Sequence, residues 1–233
     1  MNVWDAAPVR RVLGDTGRER LRHRVSELRW AARLAVLPPR VAWFQIRARR
    51  RAWRTRDYLS LLSATRAADL RILLELAGDS RRVVELGTAT GWTAISMALA
   101  APGRHVSSYD IVQRPEPLRY LELVGPSVRE RVRFITAPGS AGPAGGDRPG
   151  PAGPGEQSPA PAPYVDMLYI DSSHEREQTI AEVLAWRPVL RPGAPIVFDD
   201  YRHPDFPGVA EAIAELGLSG QARGSLFVHH TGR

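Results

Sequence analysis

Two hydrophobic rhythms divide the chain. Between Leu21 and Val36, the residues Leu21, Val25, Leu28 and Ala32 recur at helical spacing, while Arg22, Arg29 and Arg33 fall mostly on other faces. Pro38-Pro39 ends that helix. A second helix, Val41 to Trp53, mixes Trp43, Phe44 and Ile46 with Arg47, Arg49, Arg50 and Arg51; a third runs from about Tyr58 to Ala77 and stops at Gly78. From Arg82 onward, short apolar runs alternate with helical ones. Strands are predicted at Val83–Leu86, His105–Asp110, Val132–Thr136, Val165–Asp171 and Ile196–Asp199, with a last strand at Ser225–His230 placed to pair antiparallel. Helices are predicted at Trp92–Ala101, Pro117–Val124, Glu175–Leu190 and Val209–Leu216. This βαβ succession predicts an α/β fold: a doubly wound, mostly parallel sheet of about seven strands with helices on both faces. Residues 1–78 form a helical N-terminal extension to that domain, which occupies residues 79–233.

Residues 138–163 interrupt the series. Fifteen of these 26 residues are Pro or Gly, and none is an apolar residue larger than Pro. Such a stretch buries too little surface to offset its chain entropy, so a disordered, inert insertion is expected there.

Composition narrows the chemistry. The 233 residues include no cysteine, which excludes a disulfide framework, thiol catalysis and cysteine-ligated metals. All 32 basic residues are arginine, so no lysine is present to act as a base, a Schiff base or a phosphate ligand. Residues 1–56 carry 15 Arg against 4 acidic residues, and the remainder carries 17 against 21, so the basic character belongs to the N-terminal arm. No apolar run reaches membrane-spanning length and no leader pattern precedes the first helix, so a cytoplasmic, soluble protein is expected.

The most informative run is Val83-Val84-Glu85-Leu86-Gly87-Thr88-Ala89-Thr90-Gly91-Trp92-Thr93. It is an apolar strand bearing an acid, followed by Gly-x-x-x-Gly opening a helix. Glycines permit the sharp turn and a close ligand approach. A dinucleotide site would show Gly-x-Gly-x-x-Gly around a pyrophosphate. Here the middle glycine is absent, and an acid precedes the first one, which suits a sulfonium and an ammonium group instead.

This run resembles the first motif of the class I S-adenosylmethionine (SAM)-dependent methyltransferases, and the resemblance continues through almost all of residues 82–201. It implies a Rossmann-like fold with SAM as cofactor. Asp110 ends the second strand 25 residues after Glu85, at the position that in the family accepts both ribose hydroxyls. Leu190-Arg191-Pro192-Gly193-Ala194 is similar to the family's turn before the fifth strand, with Ala194 replacing the second glycine. The cofactor-binding set so implied is Glu85, Gly87, Thr88, Gly91 and Asp110, with Asp171 at the end of the fourth strand.

In an open α/β sheet, ligands sit outside the carboxyl ends of the strands. Strand four ends Tyr169-Ile170-Asp171-Ser172-Ser173-His174, and strand five ends Phe198-Asp199-Asp200-Tyr201. This pattern resembles the small bacterial metal-dependent O-methyltransferases acting on sugar and natural-product hydroxyls. The resemblance implies Asp171, Asp199 and Asp200 as ligands of Mg²⁺, a hard ion suited to oxygen donors. Arg176 and Arg202 are the alternative counter-charges. Where sugar-modifying relatives carry a second acid, this chain has Ser173, and the lysine of the catechol-type relatives has no counterpart. His174 is therefore the candidate base. His203 is a weaker alternative, and His229 and His230 lie away from the chemistry.

A small-molecule acceptor is the leading reading. The arginine-rich arm with Trp43 and Trp53 raises nucleic acid as a rival partner, but Asp-Ser-Ser-His after strand four lacks the Asn/Asp-Pro-Pro-Tyr/Phe that holds a flipped base. A non-catalytic reading has the arm binding a partner or an anionic membrane surface. The plainer alternative is that it packs as a lid over the acceptor pocket or as a homo-oligomer interface.

Overall fold

The computed structural model describes residues 33–143 and 164–232. After a short 3₁₀ turn at Leu34–Val36 come helices α1 (Pro39–Thr55), α2 (Tyr58–Leu62) and α3 (Ala67–Ala77). Then follow β1 (Arg82–Leu86), α4 (Trp92–Ala100), β2 (His105–Asp110), α5 (Glu116–Leu121), α6 (Pro126–Arg129) and β3 (Val132–Thr136). The second half holds β4 (Met167–Ile170), α7 (Arg176–Trp186), β5 (Pro195–Phe198), α8 (Pro207–Glu215), β6 (Gly220–Arg223) and β7 (Leu226–His230). The helix predicted over residues 21–36 lies outside the described residues except for its last few. No helix among the described residues is long and apolar enough to cross a membrane.

The seven strands are ordered β3-β2-β1-β4-β5-β7-β6. The first five run parallel, and β7 pairs antiparallel with both β5 and β6. This is the expected doubly wound architecture. Alternation along each strand sorts the core into two layers. Val83, Val106, Met167 and Val197 face α1, α3 and α4, whereas Val84, Leu86, Leu168, Ile170, Ile196 and Phe198 face α7 and α8. Residues of α1 and α3, among them Phe44, Ala48, Leu70 and Leu73, share the first of these layers with the sheet.

Several boundaries differ from the sequence-based expectation. The third helix breaks into α2 and α3: Asp57 caps the start of α2, accepting from the Ser60 amide at 3.1 Å, and Ser63–Arg66 leave the helical path before α3 begins. The edge strand β6 has no apolar alternation to announce it, being Gly-Gln-Ala-Arg. The Pro/Gly-rich stretch starts later than expected. Gly139–Ala141 form a 3₁₀ turn, the Gly139 carbonyl accepts from Trp186 Nε1 at 2.8 Å, and a Cβ on Gly139 would stand 2.7 Å from Glu182 Oε1. The rest of that stretch, 144–163, lies outside the described residues.

Two arginines fasten the amino-end corner of the sheet. Arg104, almost wholly buried, donates to the carbonyls of Gly78 (2.6 Å), Ser80 (2.9 Å) and Met97 (3.1 Å). Arg131 donates to those of Ala98 (2.9 Å), Ala101 (3.2 Å), Arg104 (2.6 Å) and Ser127 (2.8 Å). Their planar forks satisfy the carbonyls that the end of α4 leaves open.

Candidate active site

The sheet reverses its winding between β1 and β4, which opens a crevice at their carboxyl ends. The β1–α4 turn forms one wall. Gly87 (φ 103°), Ala89 (φ 43°) and Gly91 (φ 78°) all take left-handed backbone conformations, so the loop wraps tightly before α4 begins. Ala89 stands where a glycine would be free of strain. The Gly87 amide donates to the Tyr109 carbonyl at 2.8 Å, and the Gly91 amide to the Thr88 carbonyl at 2.7 Å.

Register places Glu85 opposite Ser108 on β2 and Tyr169 on β4, giving a polar row across three central strands. Ser108 Oγ donates to Glu85 in a short contact, and Thr88 Oγ1 lies 2.6 Å from Ser108 Oγ. Glu85 is buried, and that burial pushes its carboxyl well above the ordinary range; Ser108 opposes the shift, and Asp171 and Asp110 add to it. Asp110, at the end of β2, accepts the amides of Ala89 (3.0 Å) and Val112 (2.9 Å), one on each oxygen. Each oxygen retains a lone pair, and the apolar side chains of Ile111 and Val112 next to it are exposed.

Beyond the crevice, β4 and β5 pair in register, Ile170 opposite Phe198, so Asp171 and Asp199 emerge side by side. Tyr169 Oη donates to both, at 3.1 Å to Asp171 and 2.8 Å to Asp199. Ser225 Oγ donates to Asp199 at 3.2 Å. His174 Nε2 lies 3.3 Å from Asp171 Oδ1 and 3.7 Å from Asp200 Oδ2, near enough for charge pairing yet off the line of a hydrogen bond. Its ring stacks on Phe206 with centroids 4.6 Å apart. The structure thus brings Asp171, His174, Asp199 and Asp200 together. His203 stacks on the far side of this group, against Phe206. His229 and His230 bond to the carbonyls of Ser219 and Gly193, away from the crevice.

The cluster carries excess negative charge, and its proton affinities show it. Asp199 is pushed up to about 7 by burial and by the charge of Asp171. Asp171 is raised by burial, with His174 and Tyr169 pulling the other way. Burial opposes the charged form of His174, but Asp171, Asp200 and Asp199 outweigh it, and the imidazole lies above its ordinary value. Among the described residues no group of three or more acids or imidazoles closes around a single point as a ready metal cage. His174 (φ 60°), Asp200 (φ 50°) and Arg202 (φ 63°) all hold left-handed conformations, a concentration of backbone strain typical of functional loops. Arg176 is committed elsewhere, to Glu215 and Glu177, and Arg202 lies over the Tyr201 ring, its Cζ 5.0 Å from the ring centre.

A family model described as a methyltransferase domain matches residues 84–201, half of the chain. The chain belongs to that family. With its fold and loop, this is a SAM-dependent methyltransferase of the class I architecture. No curated protein matches the methyltransferase. Solved structures share its fold. Cofactor-bound Rv0187 from MTB is 21% identical with a TM-score of 0.53, covering 73% of this chain and 83% of that one. A putative caffeoyl-CoA O-methyltransferase from Staphylococcus aureus is 14% identical with a TM-score of 0.53, covering 76% and 90%. Apo CalS11, a TDP-rhamnose 3'-O-methyltransferase of calicheamicin biosynthesis, is 15% identical with a TM-score of 0.53, covering 97% and 100%.

Sequence reasoning missed the residues that organise this methyltransferase's site from behind. Tyr169, Ser225, Phe206 and Ser108, the partner of the motif's Thr88, belong to no motif, and their parts emerge only from strand register and loop packing.

Proposed function

We propose that the protein methylates a hydroxyl group of a small molecule, a sugar or a natural product, with His174 as the base. The observation that carries this reading is contiguity. Gly87 of the cofactor loop packs directly against the Asp171 backbone, so a donor held by that loop adjoins the carboxylate–imidazole cluster. The name of the fold relative CalS11, a sugar O-methyltransferase, agrees with it.

Bound SAM supplies an electrophilic methyl carbon; the protein's task is alignment and proton removal. Asp110 offers its free lone pairs to the ribose diol, and Glu85, through Ser108 and Thr88, holds the loop that meets the methionine end. The stacked ring of Phe206 fixes the His174 plane. Neutral His174 would take the acceptor hydroxyl's proton, and Asp171 and Asp200, which flank its Nε2, would stabilise the resulting imidazolium; SAM, when bound, would give up its methyl and leave as S-adenosylhomocysteine.

The excess negative charge of the cluster suits a divalent cation, Asp199 being pushed up to about 7 by burial and by the charge of Asp171, although among the described residues the acids do not close around one point as the chain stands. Asp171, Asp199 and Asp200 are the residues that would hold Mg²⁺; bound there, it would lower the acceptor hydroxyl's pKa.

Calorimetric titration with SAM, followed by methyl transfer to a panel of sugar and phenolic acceptors, tests the reading. Measurable SAM binding and transfer to oxygen are expected, with EDTA suppressing turnover and Mg²⁺ restoring it. Folded protein that binds no SAM would refute the enzyme reading; turnover unchanged by EDTA would remove the metal alone.

A further inference from the structure

The helix α1 has two faces of different character. Its inner stripe, Val41, Phe44, Gln45, Ala48 and Ala52, is buried against the sheet domain. Its outer stripe repeats at helical spacing as Trp43, Arg47, Arg50 and Arg54. Trp43 is 59% exposed, a large apolar ring standing among guanidinium groups. These residues, with Trp53 and Leu123, line a groove of about 580 Å³. One wall is fixed: Arg47 donates to the Leu123 carbonyl at 2.9 Å, and Arg51 pairs with Glu122 at 3.4 Å. Arg50 and Arg54 have no ion pair or side-chain hydrogen bond among the described residues. None of the lining residues belongs to the loops after β1, β4 or β5.

We propose that this groove docks single-stranded nucleic acid, apart from the methyl-transfer site. Phosphates match unpaired guanidiniums, and bases offer π faces to an exposed indole; a flexible strand supplies both in alternation. Trp43 and Arg54 are eleven residues apart on one stripe, about 16 Å along the helix axis, so one strand meets the exposed ring and the cationic groups in turn, with half-buried Trp53, its edge on Tyr58, forming part of the wall. A membrane surface fits less well. An interfacial helix must lay its apolar face into lipid, and the apolar face of α1 is already spent on the core. An acidic peptide matches the charge but offers no series of rings. The loop after β4 has no base-holding motif, so the strand is a partner and not the methyl acceptor.

The test uses the full chain and a fluorescently labelled 20-nucleotide oligouridine, read by anisotropy across a salt series. Binding that weakens with salt is expected. Arg50→Glu/Arg54→Glu should lower affinity at least tenfold and flatten the log–log salt slope by about 1.4, two phosphate contacts' worth for a single strand. Trp43→Ala should weaken binding about tenfold. Arg81→Glu/Arg187→Glu, two exposed arginines elsewhere, makes the same change in net charge and should retain most of the affinity. All these positions are on the surface, and circular dichroism checks that each variant folds; Arg50→Ala/Arg54→Ala serves if charge reversal perturbs α1. No oligouridine binding overturns the proposal. So does equal loss in the control pair, or preference for vesicles of equal phosphatidylcholine and phosphatidylglycerol over the RNA.

Discussion

A Cβ atom placed on Gly87 would come within 1.9 Å of the carbonyl oxygen of Asp171. The first glycine of the β1–α4 turn and the first residue of the carboxylate–imidazole cluster are therefore in backbone contact, and on the proposed reading the donor and acceptor sites share one wall. Any side chain at position 87 pushes the β4 loop away while also straining a backbone at φ 103°. Gly87→Ala should cost about 3 kcal/mol or more of stability. It should also abolish SAM binding in whatever protein folds, checked by thermal melts and calorimetry together.

Asp110→Ala should weaken SAM by roughly 1.5–3 kcal/mol, the cost of leaving hydroxyl partners unpaired. The same carboxylate orders the Ala89 and Val112 amides, so the variant should also loosen the β1–α4 turn. Asp110→Asn, which keeps one acceptor oxygen, should recover part of the loss. Titration of the two variants side by side separates these contributions.

His174→Ala should lower kcat by 10²–10⁴ and leave SAM affinity close to wild type. As a base His174 must be neutral, and its carboxylate neighbours hold its proton above the ordinary imidazole range. Activity should therefore rise with pH through and beyond that range, with an apparent pKa that belongs to the coupled cluster. A kcat/KM profile already flat at pH 6 would assign the proton to another group.

Glu182 yields a stability prediction with a definite sign. It is buried, accepts from Ser172 Oγ (2.8 Å) and Gln178 Nε2 (2.9 Å), and burial raises its pKa in the folded chain despite those donors. Between the unfolded and folded values the native state binds more protons than the unfolded one, so this contribution is full below the unfolded pKa and fades as pH rises through the folded one. Glu85 adds in the same direction. The melting temperature of EDTA-treated protein should fall from mildly acidic toward alkaline pH. Glu182→Gln should reduce that slope.

Legibility in the sequence followed the physics of each element. His105–Asp110 and Val132–Thr136 match their strands residue for residue, because apolar alternation flanked by turn residues leaves little freedom. The adjacency of Asp171 and Asp199 was readable through the family's strand order. Tyr169 was visible only as one more apolar strand residue; its hydroxyl acquires a role when β4 and β5 are set in register. Strand β6 escaped because an exposed edge needs no apolar face, and its pairing depends on β7 alone. The packed start of the Pro/Gly-rich stretch escaped for the opposite reason: Gly139 is chosen for the absence of a side chain beside Glu182, and composition reads such glycines as loop.

Arg104 and Arg131 together spend their forks on carbonyl oxygens at the end of α4 and the corners beside it. In a chain without lysine, this makes the guanidinium group both its mortar and its outer coat. Covalent labelling should separate the two. Amine-directed esters find no side chain to modify, whereas a dicarbonyl reagent such as phenylglyoxal should consume Arg50 and Arg54 early and Arg104 only when the β2–α4 corner opens. Peptide mapping over time would then turn Arg104 into a clock for local opening, with the native chain supplying its own probe.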